Sequence, residues 1–218
     1  MTRGSIDLSI EKLRNDLIEM ADNTKEQIKS SVEALANKDG DLAEQVLLKD
    51  DILDKSQRDI EDKCIRLIAT EQPMAIDLRT IFTIAKVTAD LERMADYAVD
   101  IGKITLRLKD EDYIKPLIDI PKMSKIVEKM ISDSVDAFTK KDVIKSYKIC
   151  KMDDEVDELY RKVFSELVIM MSKDITLLNR ATQLLFVIKY LERVADHATN
   201  ICEGTIYLVT GEHEALNE

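Results

Sequence analysis

Proline, glycine, cysteine, histidine and positive charge are all scarce in this sequence, and each scarcity closes off a class of protein. With 3 Pro and 5 Gly in 218 residues, the chain has too little punctuation for the many tight turns of an all-β fold. The three cysteines, Cys64, Cys150 and Cys202, are odd in number, far apart and without a C-x-x-C pair. They fit reduced thiols buried as small apolar residues rather than a disulfide or thiolate-metal framework. Two histidines, His197 and His213, offer no convincing Ser/His/Asp or Cys/His constellation, and there is no Gly-rich phosphate loop. A di-iron carboxylate oxidase is disfavoured too, because neither Glu92 nor Glu192 has a histidine three residues on.

Positive charge is outnumbered, 32 Lys and Arg against 43 Asp and Glu, for a net charge of −11. No basic footprint exists to displace counterions from phosphodiester, so nucleic acid is excluded as a partner; cations or basic protein surfaces are the expected company. Long apolar runs are also missing. The longest uncharged stretches, 181–188 and 204–211, are 8 residues each, against roughly 20 needed to cross a bilayer. The first ten residues carry Arg3 and Asp7 and lack the apolar run of a secretory signal, so the expected location is cytoplasmic, with membranes reached only through partners.

What is present is helical. Hydrophobic residues make up 45% of the chain, enough for a sizeable core. In 5–37 Ile10, Leu13, Leu17, Thr24, Ile28, Val32 and Leu35 fall at spacings of three, four and seven, the period of an amphipathic helix. Lys38-Asp39-Gly40-Asp41 breaks it, and Asp41 with Glu44 reads as an acidic capping box opening a second helix to about Thr70. Gln72-Pro73 ends that one, and a third follows over 74–108. Segment 109–121, charged and carrying Pro116 and Pro121, reads as a connector. The plan then restarts, with helices over 122–140, 142–173 and 175–210, the last stopped at Gly211. The expected architecture is all-α: two three-helix bundles in tandem, 1–108 and 122–218, joined by the connector.

An internal repeat supports this independently. Leu91-Glu92-Arg93-Met94-Ala95-Asp96-Tyr97-Ala98-Val99-Asp100-Ile101 aligns with Leu191-Glu192-Arg193-Val194-Ala195-Asp196-His197-Ala198-Thr199-Asn200-Ile201, 7 of 11 identical. On the preceding helices Asp50-Asp51-Ile52-Leu53-Asp54 aligns with Asp153-Asp154-Glu155-Val156-Asp157. Each half therefore carries an i,i+4 carboxylate pair on its second helix (Asp50/Asp54; Asp153/Asp157) and its third (Glu92/Asp96; Glu192/Asp196). Asp100 and Asn200 extend the third-helix faces by a turn.

Such pairs project from one helix face and repel, at about 0.2–0.5 kcal/mol each. One such pair is ordinarily a solvated acidic face; four at matched places point to cation sites with four or five oxygen ligands. All-oxygen sites suit Mg²⁺, Mn²⁺ or Ca²⁺, carboxylate clusters also hold iron, and Zn²⁺ fits with fewer ligands. Arg93 and Arg193 read as salt-bridge partners of these carboxylates. His197 is a weak ligand candidate because its counterpart in the other half is Tyr97.

Gln72-Pro73-Met74-Ala75-Ile76-Asp77-Leu78-Arg79, then Asp90-Leu91-Glu92-Arg93-Met94-Ala95-Asp96, then the second motif from Leu191 to Ile201, together resemble the PhoU family of phosphate-uptake regulators over nearly the whole chain. The resemblance implies six helices in two three-helix bundles and multinuclear metal sites (Mg, Mn, Fe or Zn) built from E/D-x-x-x-D motifs. Carried over residue by residue, those ligands are Asp50, Asp54, Glu92, Asp96, Asp100, Asp153, Asp157, Glu192, Asp196 and Asn200. It also implies a non-enzymatic negative regulator that links the ATPase subunit of a phosphate ABC transporter to a sensor histidine kinase, with a second copy of the chain in a homodimer. Ala95 and Tyr97 stand where many relatives have Gly and His, a change that bears on the metal or its outer shell. The alternatives are an accessory protein of a different phosphate permease and a carboxylate-metal enzyme acting on phosphate compounds.

Overall fold

The computed structural model describes residues 3–216. Among them the order is α1 (Arg3–Asn37), α2 (Gly40–Leu48), α3 (Asp50–Glu71), α4 (Ala75–Leu108), α5 (Asp119–Lys140), α6 (Val143–Lys173), a 3₁₀ turn (Ile175–Leu177) and α7 (Leu178–Thr210), with no strand. The expected all-α pair of three-helix bundles is the architecture found. α1, α2–α3 and α4 form the first repeat; α5, α6 and α7 form the second.

The two repeats end their first helices identically, for a backbone reason. Lys38 (φ 55°) and Lys141 (φ 56°) both adopt the left-handed conformation that closes a helix C-terminus. The next N–H in each case reaches back to a final-turn carbonyl, Asp39 to Ala34 at 2.9 Å and Asp142 to Ala137 at 2.8 Å. Asp39 and Asp142 then cap the next helix, each accepting from a backbone N–H (Leu42 and Lys145) at 2.9 Å. The opening cap of α2 is thus Asp39 rather than Asp41, which falls inside the first turn where its charge still favours the helix dipole.

Three helix boundaries differ from the periodicity. The second helix is divided at Lys49, whose carbonyl accepts from Ile52 N–H at 3.1 Å, a tightened three-residue turn that starts α3 at Asp50. The apolar pattern runs through unbroken because Val46, Leu53 and Ile60 stay buried across the kink. The connector ends at Ile118, and Pro121 lies in the first turn of α5, where its missing N–H would have had no helical partner. Finally, α7 is preceded by a 3₁₀ turn capped by Asp174, which accepts from the Thr176 N–H at 2.9 Å.

The repeats share one continuous core rather than two. α1 packs on both α4 and α5, and α4 packs on α7. Leu13, Leu17, Ile28 and Leu35 of α1 are buried with Ile81, Ile84 and Leu91 of α4, and with Met123, Val127 and Met130 of α5. Leu78 and Tyr147, which the helical period assigns to apolar faces, are instead exposed at 42% and 38%. The Tyr147 hydroxyl donates to Glu214 on the C-terminal segment.

Candidate metal centre

The four carboxylate pairs occupy corresponding places in the two repeats. Around Leu53 and Val156, which are buried, Asp50, Asp54, Asp153 and Asp157 all lie half-buried at the edge of the core. Glu92, Asp96, Glu192 and Asp196 do the same between buried Leu91, Met94 and Ala95 on α4 and Leu191, Val194 and Ala195 on α7. The apolar side of each helix anchors it, and the register places the acids where α3 meets α4 and α6 meets α7.

In the first repeat Asp50, Asp54, Glu92 and Asp96 repel one another across the two helices. Burial, then the charges of Asp54 and Asp96, push the Asp50 carboxyl above its ordinary range. Glu92 is raised by burial, then by Asp96, Asp54 and Asp50, against the opposing pull of Arg93. Positive groups stand at the rim: Arg93 Nη1 is 2.9 Å from Asp96 Oδ2, and Lys103 Nζ is 2.9 Å from Asp100 Oδ1. Asp50, Asp96 and Asp100 line a cleft of about 300 Å³ with Arg93, Tyr97 and Lys103.

The second repeat is more tightly loaded. Burial and the charges of Asp196, Asp157, Glu192 and Asp154 push Asp153 up to about 7. Its Oδ1 is buried with no hydrogen-bond partner. An orphaned carboxylate oxygen inside a ring of other carboxylates is stable only as a protonated acid or beside a cation. Asp196 is raised as well, by burial and Glu192, while Arg193, Lys189 and His197 pull the other way. Lys189 Nζ sits 2.6 Å from Glu192 Oε2, Arg193 Nη1 is 3.6 Å from Asp196 Oδ2, and Arg161 Nη2 is 3.5 Å from Asp157 Oδ2.

Arg93 and Arg193 therefore occupy the salt-bridge role that the sequence assigns them. Eight of the ten expected ligands, four per repeat, gather into the two groups, and Asp100 adjoins the first. Asn200 turns away: its Nδ2 donates to Asp90 Oδ1 at 3.4 Å. His197 is also occupied there, its Nδ1 at 2.8 Å from the same oxygen. Asp90 is the member that the repeat could not reveal, because its counterpart is Tyr190. The equivalent place across the pseudo-symmetric α4/α7 contact holds a Tyr97–Tyr190 stack, 5.5 Å between centroids. A hydrogen-bonded Asp90–His197 pair on one side and an aromatic pair on the other thus join the repeats.

Among the described residues, no three Asp, Glu, His or Cys side chains are already drawn around a single point close enough to hold a metal. Rim cations take up Glu92, Asp96, Asp157, Glu192 and Asp196, whereas Asp50 and Asp153 have no cation partner among the described residues. The donor set is all-oxygen and anionic, which fits a hard or borderline divalent ion or iron, and the partnerless Asp153 oxygen fits a missing positive partner. Asp153, Asp157, Glu192 and Asp196 would hold such an ion in the second repeat, and Asp50, Asp54, Glu92 and Asp96 in the first.

Comparison with known proteins gives a consistent result. A family model described as the PhoU domain matches residues 17–105 and 120–205. A Clostridium acetobutylicum protein named phosphate-specific transport system accessory protein PhoU homolog is 46% identical, with 100% of both chains covered. An Aquifex aeolicus protein of the same name is 41% identical over 96% of each. The fold is similar to the crystal structure of PhoU from Pseudomonas aeruginosa, with a TM-score of 0.90 and 32% identity over 94% of this chain and 99% of that one. It is equally similar to the phosphate transport system regulatory protein PhoU from Streptococcus pneumoniae, with a TM-score of 0.89 and 32% identity over 96% and 99%.

Proposed function

This chain belongs to the PhoU family, and from that membership and its paired carboxylate groups we propose that it is a metal-binding negative regulator of phosphate uptake. It acts in the cytoplasm as a homodimer, docks on the ATPase subunit of a phosphate transporter and restrains a sensor histidine kinase while phosphate is abundant. The observation that carries this reading is similarity over the entire chain to relatives named as accessory proteins of phosphate-specific transport.

The physical features are compatible with an adaptor. Among the described residues no helix is long and apolar enough to cross a membrane, and a role at a transporter by docking is compatible with that. A net charge of −11 favours basic partner surfaces, and such complexes weaken as salt screens them. The metals proposed for the two carboxylate groups would neutralise clustered negative charge and fix α3 to α4 and α6 to α7, setting the surface that a partner reads.

The test is a phosphate-starvation promoter reporter in a deletion strain grown in phosphate-rich medium. Deletion should leave the promoter on, and the wild-type gene should switch it off. A gene carrying Glu92→Gln, Asp96→Asn, Glu192→Gln and Asp196→Asn should fail to do so at normal protein level. Full repression in the deletion strain, where no second copy exists, would overturn the regulator reading.

A further inference from the structure

The second helix is broken in one repeat and continuous in the other. In the first, α2 stops at Leu48 and α3 starts at Asp50; in the second, α6 runs from Val143 to Lys173 straight through the matching Asp153. The backbone ladder of α2 reaches Lys49, whose N–H donates to the Gln45 carbonyl at 3.2 Å. The next rung, Asp50 N–H to the Val46 carbonyl, is the one that the break at Lys49 removes. Val46 is buried, and a buried carbonyl released from a helix needs another donor.

Gln27 of α1 is that donor. Its Nε2 donates to the Val46 carbonyl at 3.0 Å, and the residue is only 1% exposed. Its Oε1 is buried without a partner. Core packing alone does not call for an amide here: counted from the matched stops at Lys38 and Lys141, Gln27 corresponds to Met130 and Val46 to Ile149, both buried. Methionine has no donor, and there α6 keeps its own ladder. The opposite side of α2 is also particular to the first repeat. It faces Gly102 of α4, where a Cβ would stand 2.7 Å from Leu47 Cδ1 and 3.4 Å from the Ala43 carbonyl oxygen, and the counterpart of Gly102 is Cys202. The short helix is thus held between Gln27 on one side and the bare backbone of Gly102 on the other.

Asp50 follows the break directly. It is the first residue of α3, whereas Asp153 lies in the interior of α6. The two acids differ accordingly, since Asp153 has a buried oxygen without a partner and Asp50 lines the open cleft with Asp96 and Asp100. Resting on the metal-binding reading above, we propose that Gln27 is a positioning residue for the first repeat's metal group, holding the break at Lys49 so that Asp50 and Asp54 meet Glu92 and Asp96. Without the amide, the Asp50 N–H reclaims the Val46 carbonyl, the second helix becomes continuous, and Asp50 passes from a helix start into a helix interior.

The experiment compares Gln27 with Gln27→Met in the full chain carrying Glu192→Gln/Asp196→Asn, which confines metal to the first repeat. Both proteins are read by amide hydrogen exchange in chelator and by titration with Mn²⁺. With Gln27 in place the Asp50 N–H should exchange freely and the Asp153 N–H slowly. Gln27→Met should slow Asp50 exchange by about tenfold or more. It should also weaken Mn²⁺ binding by roughly 10- to 100-fold, the usual cost of losing a group that orients a metal ligand. Placed beside Glu92→Gln/Asp96→Asn instead, Gln27→Met should leave Mn²⁺ binding by the second repeat unchanged, which a general loss of core packing would not do. Unchanged Asp50 exchange, unchanged Mn²⁺ affinity, an equal loss at both repeats, or unfolding of both Gln27→Met and Gln27→Leu would overturn the proposal. A Gln27 parent chain that takes up no Mn²⁺ would instead overturn the metal reading on which it rests.

Discussion

An ionised Asp153 would keep one oxygen without a donor while facing Asp157, Glu192 and Asp196. Its carboxyl is raised from the ordinary carboxylate range to about 7, so the metal-free fold binds this proton more tightly than the unfolded chain does. The contribution to stability is complete below the unfolded value near 4 and is lost as pH rises through 7. The metal-free protein should therefore melt at a lower temperature at pH 8 than at pH 5.5, with the lowered carboxyls Asp133 and Asp136 setting an opposing trend only at still lower pH. Asp153→Asn should flatten that dependence between pH 5.5 and 8 and raise the melting temperature at pH 8. Calorimetry in chelator checks this, and an unchanged profile in the variant would reassign the dependence to other groups. The i,i+4 spacing made Asp153 legible as one acid of a pair. Its orphaned oxygen was not legible, because depth along a helix face depends on the neighbouring helix.

At the scale of the element, Lys38-Asp39 and Lys141-Asp142 are duplicated helix stops and starts. A left-handed lysine is strained in a way that glycine is not. Lys38→Gly and Lys141→Gly should each stabilise the fold by about 0.5–1 kcal/mol, whereas Asp39→Ala and Asp142→Ala should each cost about 1 kcal/mol. Chemical denaturation measures both, and effects of the same sign would contradict the cap assignment. The sequence located this break at residues 38–41 but selected Asp41 as the cap, because Asp41 and Glu44 match the capping-box spacing while Asp39 needs only its own carboxylate. The Lys49 kink carried no glycine or proline to announce it. Pro121 misled in the opposite sense: a proline near a helix start was read as part of the connector although the first turn tolerates it.

For the whole molecule, the repeat was the strongest signal in the sequence, and it predicts the two-bundle architecture and the gathering of eight carboxylates into two groups. It could not predict what differs between the halves. The α4/α7 contact is closed by Asp90 with His197 on one side and Tyr97 with Tyr190 on the other, corresponding positions that hold different residues in the two halves. The shared core around α1, α4 and α7 packs the helices that carry the two carboxylate groups against one another. The central claim is that each group holds metal, and its most direct test is elemental analysis of protein purified without chelator and reloaded with Mn²⁺, Fe or Zn²⁺. Wild-type chain should retain at least about one metal per repeat, Glu92→Gln/Asp96→Asn should lose the first repeat's share, and Glu192→Gln/Asp196→Asn the second's. Less than about one tightly held metal per repeat in the wild-type chain, or full retention in both double variants, would contradict it.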